Sequence, residues 1–187
     1  MTAARDHEHD LELAVALLAA TPTHEGRDPL LLRRWALAAE EFGRVMKPQE
    51  RPVRVVEQDG GLAAGLLARY RSRPPLVEVY TDTVERAEQL VAERGWRHWF
   101  PPGSVRAAAL AHEQAHAWLH HAHVRTAFKR TLGHTALRLG RHRLYAHVAG
   151  ADELAAHAFA RAACGLGRSP LLLTEALAAT VSPESEN

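Results

Sequence analysis

Five consecutive residues, His112-Glu113-Gln114-Ala115-His116, carry the most pointed chemistry in the chain. They read H-E-x-x-H. On a helix, histidines four residues apart stand one above the other, so two imidazole nitrogens can converge on one cation. Glu113 lies about 100° further round the axis, beside such a cation but outside its ligand set, where a carboxylate can take a proton from a bound water. The spacing separates ligands from base. Chance alone would produce the pattern roughly 0.08 times in a chain of this composition, so a third ligand has to add to it.

A tetrahedral catalytic zinc takes three protein ligands and leaves one position for water. The single cysteine, Cys164, allows neither a thiolate cluster nor an internal disulfide, and reads instead as a small buried apolar group. Ligands must therefore be imidazole or carboxylate. Histidine is the abnormal count, with 13 in the chain and nine of them between His112 and His157. Beyond Glu113 the next acids are Asp152 and Glu153. Both are candidates for the third ligand, and helical phase favours Glu153, which shares a stripe with Ala156, His157 and Ala160. His120 and His123 continue the His116 face but read as ordinary hydrogen-bonding histidines. A donor for a developing oxyanion would come from Tyr145, His134, His142 or His147 in the connecting segment.

On these residues the chain resembles the gluzincin metallopeptidases, and most closely the ImmA/IrrE family. Such proteins carry HExxH and then, on a later helix, a glutamate in an E-x-x-A-[ND]-x-F-A context. Glu153-Leu154-Ala155-Ala156-His157-Ala158-Phe159-Ala160 matches that context except at His157. The likeness runs from Ala109 to Leu166. It implies a zinc-dependent metallopeptidase with one Zn2+ per chain, held by His112, His116 and Glu153, and with Glu113 as the catalytic base. It also implies a peptide or protein substrate and a zincin-like α+β fold, mostly helical, with a small antiparallel or mixed sheet.

His157 stands where the family has Asn or Asp, a group that orients a ligand histidine. A neutral imidazole can make that hydrogen bond. As an alternative ligand it would fill the water position, and the protein would then be a metal-binding but non-proteolytic regulator or partner-binding module. A carboxylate-bridged dimetal protein needs two E-x-x-H motifs, and only Glu113-x-x-His116 is present.

These residues need helices to carry them. Apolar patterning predicts helices over 10–20 and 29–47, the second opened by Asp28 as N-cap and Pro29. Short β-prone runs at Val53–Glu57, Gly65–Tyr70 and Leu76–Thr81 predict a sheet of about three strands, with 62–70 alternatively helical. Asp82 and Glu85 form a capping-box pattern for a helix through Arg94. Trp96, Trp99 and Phe100 read as core plugs. Ser104 is the expected N-cap of a helix from Val105 to about His123, and further helices follow over Ala151–Cys164 and from Pro170. The polar tail, Ser182 to Asn187, is expected to be disordered. No linker divides the chain, so residues 1–187 read as one domain. Relatives run almost directly from an edge strand into the HExxH helix, whereas here a helix over 83–94 intervenes. The strand at Val77–Tyr80 is expected to line the cleft and accept an extended peptide by strand addition.

The remaining counts exclude other classes. Twenty-three basic against 22 acidic side chains leave a formal charge of +1, with no overall field for nucleic acid or a membrane surface. Six basic residues from Arg125 to Arg143 have only Phe128 and Tyr145 as interleaved aromatics and read as a solvated face, so nucleic acid is not the expected partner. No run reaches the roughly 18 apolar residues of a membrane span. Asp6, Glu8 and Asp10 precede the apolar stretch Leu11–Ala20, where a secretory signal carries positive charge, so a cytoplasmic protein is expected. Sequence sets no oligomeric state.

Overall fold

The computed structural model describes residues 2–48 and 53–181, and has a mostly helical α+β architecture. The tail expected over Ser182–Asn187 lies outside the described residues. Helix α1 spans Thr2–Ala19 and α2 spans Pro29–Val45. Asp28 caps α2 as predicted, its carboxylate accepting the Leu30 N–H at 2.9 Å. Leu11, Ala14 and Leu18 of α1 bury against Leu32, Trp35, Ala36 and Ala39 of α2. The first half of α1, predicted only from residue 10, is polar and gains its hold elsewhere: Arg33 donates two hydrogen bonds to Glu8, and Asp10 is buried under Arg161 and Arg168.

Strands β1 (Arg54–Gln58), β2 (Ala68–Ser72) and β3 (Pro75–Tyr80) form a mixed sheet in the order β1-β3-β2. β1 runs parallel to β3 with Val55 opposite Val77, and β2 runs antiparallel to it with Tyr70 opposite Val77. Residues 62–64 form a single 3-10 turn, so β2 starts later than predicted. Both sides of β3 are thus paired, and the expected strand addition at Val77–Tyr80 has no free edge to use. The free edges belong to β1 and β2.

Helix α3 covers Thr81–Glu93, but without the predicted capping box. The Asp82 carboxylate reaches back to the N–H groups of Gly60, Gly61 and Leu62, fixing the turn after β1. Burial acts to raise its pKa, but those backbone donors hold it below the usual carboxylate value. Phe100 is a core plug as predicted, and Trp96 and Trp99 pack half-buried against the same core.

Helix α4 spans Ser104–Leu119, its N-cap being Gly103 in the left-handed region at φ 80°; Ser104 is the first helical residue, not the cap, and its hydroxyl has no partner. The helix also stops short of the predicted His123. The chain turns at His120 and His121 into a separate helix α5 (Ala122–Leu132), which sends Val124, Phe128 and Leu132 into the α1–α2 core. An exposed hairpin follows, β4 (Thr135–Leu139) with β5 (His142–Tyr145), in the basic stretch for which no element is predicted.

Helices α6 (Ala151–Cys164) and α7 (Pro170–Val181) match their predicted spans. α6 is wedged between two cores. Leu154 and Ala155 join the α1–α2 core; Ala156, Phe159 and Ala160 join a second one with Ala108, Ala111 and Ala115 of α4 and Leu173 and Leu177 of α7. Alanine on both helices lets α4 and α6 approach closely. On the other flank, a Cβ added at Gly43 of α2 would sit 2.0 Å from the Ala155 carbonyl oxygen, so that glycine sets the depth of α6. Cys164 is half-buried, less enclosed than the sequence suggested, and burial raises its thiol pKa. Among the described residues, no helix is long and apolar enough to cross a membrane.

Candidate metal centre

α4 and α6 face each other across a stripe of alanines, and the polar residues of both helices meet at the rim of that contact. His112 and His116, one turn apart on α4, bring their Nε2 atoms to 3.0 Å. Glu153, in the first turn of α6, places Oε1 3.1 Å from His116 Nε2 and Oε2 3.3 Å from His112 Nε2. Among the described residues this trio is the one group of metal-ligating side chains with ligand atoms within 4.8 Å of one another. Asp152, the competing acid, is not part of it, and neither are His120, His123 or the four candidate oxyanion donors.

The donor set is mismatched without a cation. Burial acts to raise the Glu153 pKa, but hydrogen bonds from His112 and His116 and their charge overcome it and hold the carboxyl well below its usual range. Glu153 is therefore an acceptor only. If both Nε2 atoms carry protons, they face each other as two donors; if one loses its proton, it faces the carboxylate as a second acceptor. Every proton assignment leaves one bad pair. A cation in place of the protons would meet both nitrogens and the carboxylate. Zinc ligands at 2.0–2.1 Å in a tetrahedron stand about 3.3 Å apart; the two nitrogens here are 3.0 Å apart, and each lies 3.1 or 3.3 Å from a different oxygen of Glu153. For the His116 imidazole, burial pulls the pKa down, but the Glu153 hydrogen bond and charge, helped by Glu113 and Asp152, raise it above its usual value.

Glu113 points the other way round α4. Its Oε2 accepts the backbone N–H of Tyr70 at 2.7 Å, tying the helix to β2. The Leu67 carbonyl accepts the Tyr80 N–H, so residues 67, 69 and 71 pair with β3 and the N–H and C=O groups of 68, 70 and 72 point out along the free edge. Sequence reasoning missed Tyr70 because the contact uses its main chain. The period-2 phase of β2 is the signal that could have found it.

His157 is buried beside His112, with ring centroids 4.5 Å apart at 54°. Burial, and then the charge of His112, push its pKa well below the usual value, so it is a neutral imidazole. Neither its Nδ1 nor that of His112 has a hydrogen-bond partner. The expected bond from His157 to the ligand histidine is thus replaced by ring contact, and His157 stands outside the ligand cluster.

Elsewhere His134 meets Trp35 edge to face, and His121 and His123 crowd Trp118. Arg125, Arg130, Arg138, Arg141 and Arg143 are exposed, as a solvated face requires. No family model matches the chain, and no curated protein or solved structure matches it either.

Proposed function

We propose that the protein is a metal-dependent peptidase whose single divalent ion, zinc on the peptidase reading although two His and one carboxylate accept Fe(II), Mn or Ni as well, is held by His112, His116 and Glu153. One observation carries the reading: on two facing helices the Nε2 atoms of His112 and His116 stand 3.0 Å apart, and each faces its own oxygen of Glu153, Oε2 at 3.3 Å and Oε1 at 3.1 Å, an arrangement in which one cation can meet both nitrogens and the carboxylate. Bound there, zinc would lower the pKa of a coordinated water toward about 7 and polarise a substrate carbonyl. Glu113 is the base of this scheme. Its Oε2 is anchored by the Tyr70 N–H, which leaves Oε1 free to accept a proton and pass it to the leaving amine. His157, neutral and packed on His112, holds that ring's orientation by contact. A peptide reaches the centre along the free edge of β2, where Glu113 takes the Tyr70 N–H and the outward groups of Ala68 and Ser72 remain to pair with an extended chain.

Replacing Glu113 by Gln should lower peptide turnover by about 10²- to 10⁴-fold while zinc stays bound at one ion per chain. Full turnover in that variant would remove Glu113 from its role. Zinc bound with no turnover by the native chain on any peptide panel would favour the second reading, a non-proteolytic metal-binding module, which the His157–His112 contact also accommodates.

A further inference from the structure

In the hairpin β4–β5 every residue from Thr135 to Leu144 is exposed, and its two faces differ. Residues opposed across an antiparallel ladder share a face. Leu137 opposite Leu144, and Leu139 opposite His142, make one face, on which the three leucines are 51%, 63% and 67% exposed. Arg138 opposite Arg143 makes the other, with Tyr145 beyond them. Like charges directly opposed weaken a hairpin, and no acid lies between Glu113 and Asp152 in the chain to relieve these two. The arginine ion pairs of the described residues all lie elsewhere. A basic stretch that is only solvated has no use for leucines, whereas this one sets three of them on one face.

We propose that this hairpin docks an extended acidic segment of a partner protein, in which apolar residues alternate with Asp or Glu, as a third strand beside β5. Two strands alone are marginal in water, and a third with an apolar face completes them. β5 offers the better edge. Gly140 and Arg141 form a two-residue turn, so Leu139 and His142 bond to each other, and the Ala146 N–H donates to the His134 carbonyl at 2.7 Å. Residues 142, 144 and 146 thus bond inward, while Arg143 and Tyr145 turn their N–H and C=O groups out. On β4 the irregularity between Thr135 and Leu137 breaks the outward row. In a strand laid beside β5, the residues opposite His142 and Leu144 fall on the leucine face, and the residue opposite Arg143 falls on the arginine face. Apolar side chains at the first positions cover the leucines, and an acid at the second offsets the repulsion between Arg138 and Arg143. Charge and periodicity select the same occupant. A flat anionic bilayer meets one face at a time, whereas a strand at the edge meets both. None of these residues belongs to the metal centre, so the site stands apart from the peptidase reading.

The test measures binding of short capped peptides to the full chain, in chelator, by fluorescence anisotropy. One peptide alternates leucine with glutamate, a second alternates leucine with lysine, and a third has the composition of the first in block order. The alternating acidic peptide should bind about tenfold tighter than either control. Arg138→Glu combined with Arg143→Glu should transfer the preference to the lysine peptide. Leu139→Ser combined with Leu144→Ser should weaken the acidic peptide by about tenfold. All four side chains are exposed, so the fold does not depend on them, which circular dichroism checks. Equal binding of the block peptide would reduce the site to bare charge and overturn the proposal. So would no binding of the acidic peptide, an unchanged preference in the folded charge-reversed chain, or capture of the native chain by phosphatidylserine vesicles from which that peptide does not displace it.

Discussion

α6 carries a charged cluster near each end, and the two differ in how their hydrogen bonds close. Near the C-terminal end, Asp10 of α1 is 1% exposed, yet its Oδ1 accepts from Arg168 Nε at 2.8 Å. Its Oδ2 accepts from Arg161 Nη1 and the Ser169 N–H, each at 3.1 Å. Arg168 also lies over the Trp99 ring, 4.8 Å from its centroid. Each Asp10 oxygen there meets a donor and opposite charges meet, so the cluster fastens α1 to the α6–α7 junction, although Arg168 Nη2 is buried with no partner. At the N-terminal end, Glu153 offers one oxygen to each of two imidazoles, whose own Nε2 atoms are left facing each other at 3.0 Å. The acids also differ in burial, Asp10 being 1% and Glu153 45% exposed, and the first cluster acts as a fastening while the second brings two imidazole nitrogens face to face at the protein's rim. Closure of the hydrogen bonds, more than the count of charges, tells them apart.

The sharpest way to break the comparison is to remove the acid from each cluster in turn. Asp10→Ala strands two guanidinium groups, one almost fully buried, and should cost about 3–5 kcal/mol in denaturant unfolding of the metal-free chain. Zinc affinity of whatever fraction remains folded should be unchanged. Glu153→Ala should do the reverse. Its side chain is 45% exposed, so metal-free stability should move by less than about 1 kcal/mol. Zinc affinity should fall by more than about 100-fold, beyond what loss of an outer contact produces. Asp152→Ala is the control: a greater loss of zinc there than in Glu153→Ala would move the ligand role to Asp152.

How far this was legible in the sequence follows the range of the interactions. The two site helices could be read because their signals are local: H-E-x-x-H puts both imidazoles on one face, and the phase of α6 sets Glu153 with Ala156 and His157 on the face that packs on α4. Asp28 and Pro29 opened α2 for the same reason. The segment 122–145 was illegible. β4 is exposed on both faces and carries no burial alternation, while the break after Leu119 has neither Gly nor Pro and is set by Val124, Phe128 and Leu132 turning into a distant core. Asp82 misled for a related reason, since its carboxylate serves backbone groups about 20 residues away. Tyr70 was hidden because a main-chain N–H leaves no mark on residue type.

The two clusters share one helix, and the depth of that helix is set by Gly43. Gly43→Ala forces a methyl to within 2.0 Å of the Ala155 oxygen, so α2 and α6 must separate. Overpacking of this kind costs roughly 1–3 kcal/mol. Because Ala155 lies two residues from Glu153, the shift should also weaken zinc binding, linking a stability loss to a metal loss that Asp10→Ala leaves apart. A variant destabilised with native zinc affinity would mean that α6 yields at its far end only.

The smallest effect separates the clusters by pH. Glu40 of α2 lies at the edge of the fastening cluster, where burial and then the nearby Asp10 charge raise its pKa from 4.5 to about 7, with Arg161 opposing. A carboxyl that binds its proton more tightly in the folded chain than in the unfolded one stabilises fully below pH 4.5, and that contribution is lost as pH rises toward 7. Solvent screening of a half-buried group leaves roughly 1–2 kcal/mol of it. Glu40→Gln keeps the shape and removes the charge, so unfolding curves of variant and native chain should coincide near pH 4.5 and separate toward pH 8, the variant being the more stable. The difference should persist in chelator, because nothing at the metal centre contributes to it. Parallel curves across that range would show that neither burial nor the Asp10 charge raises the Glu40 pKa, and would detach Glu40 from the fastening cluster.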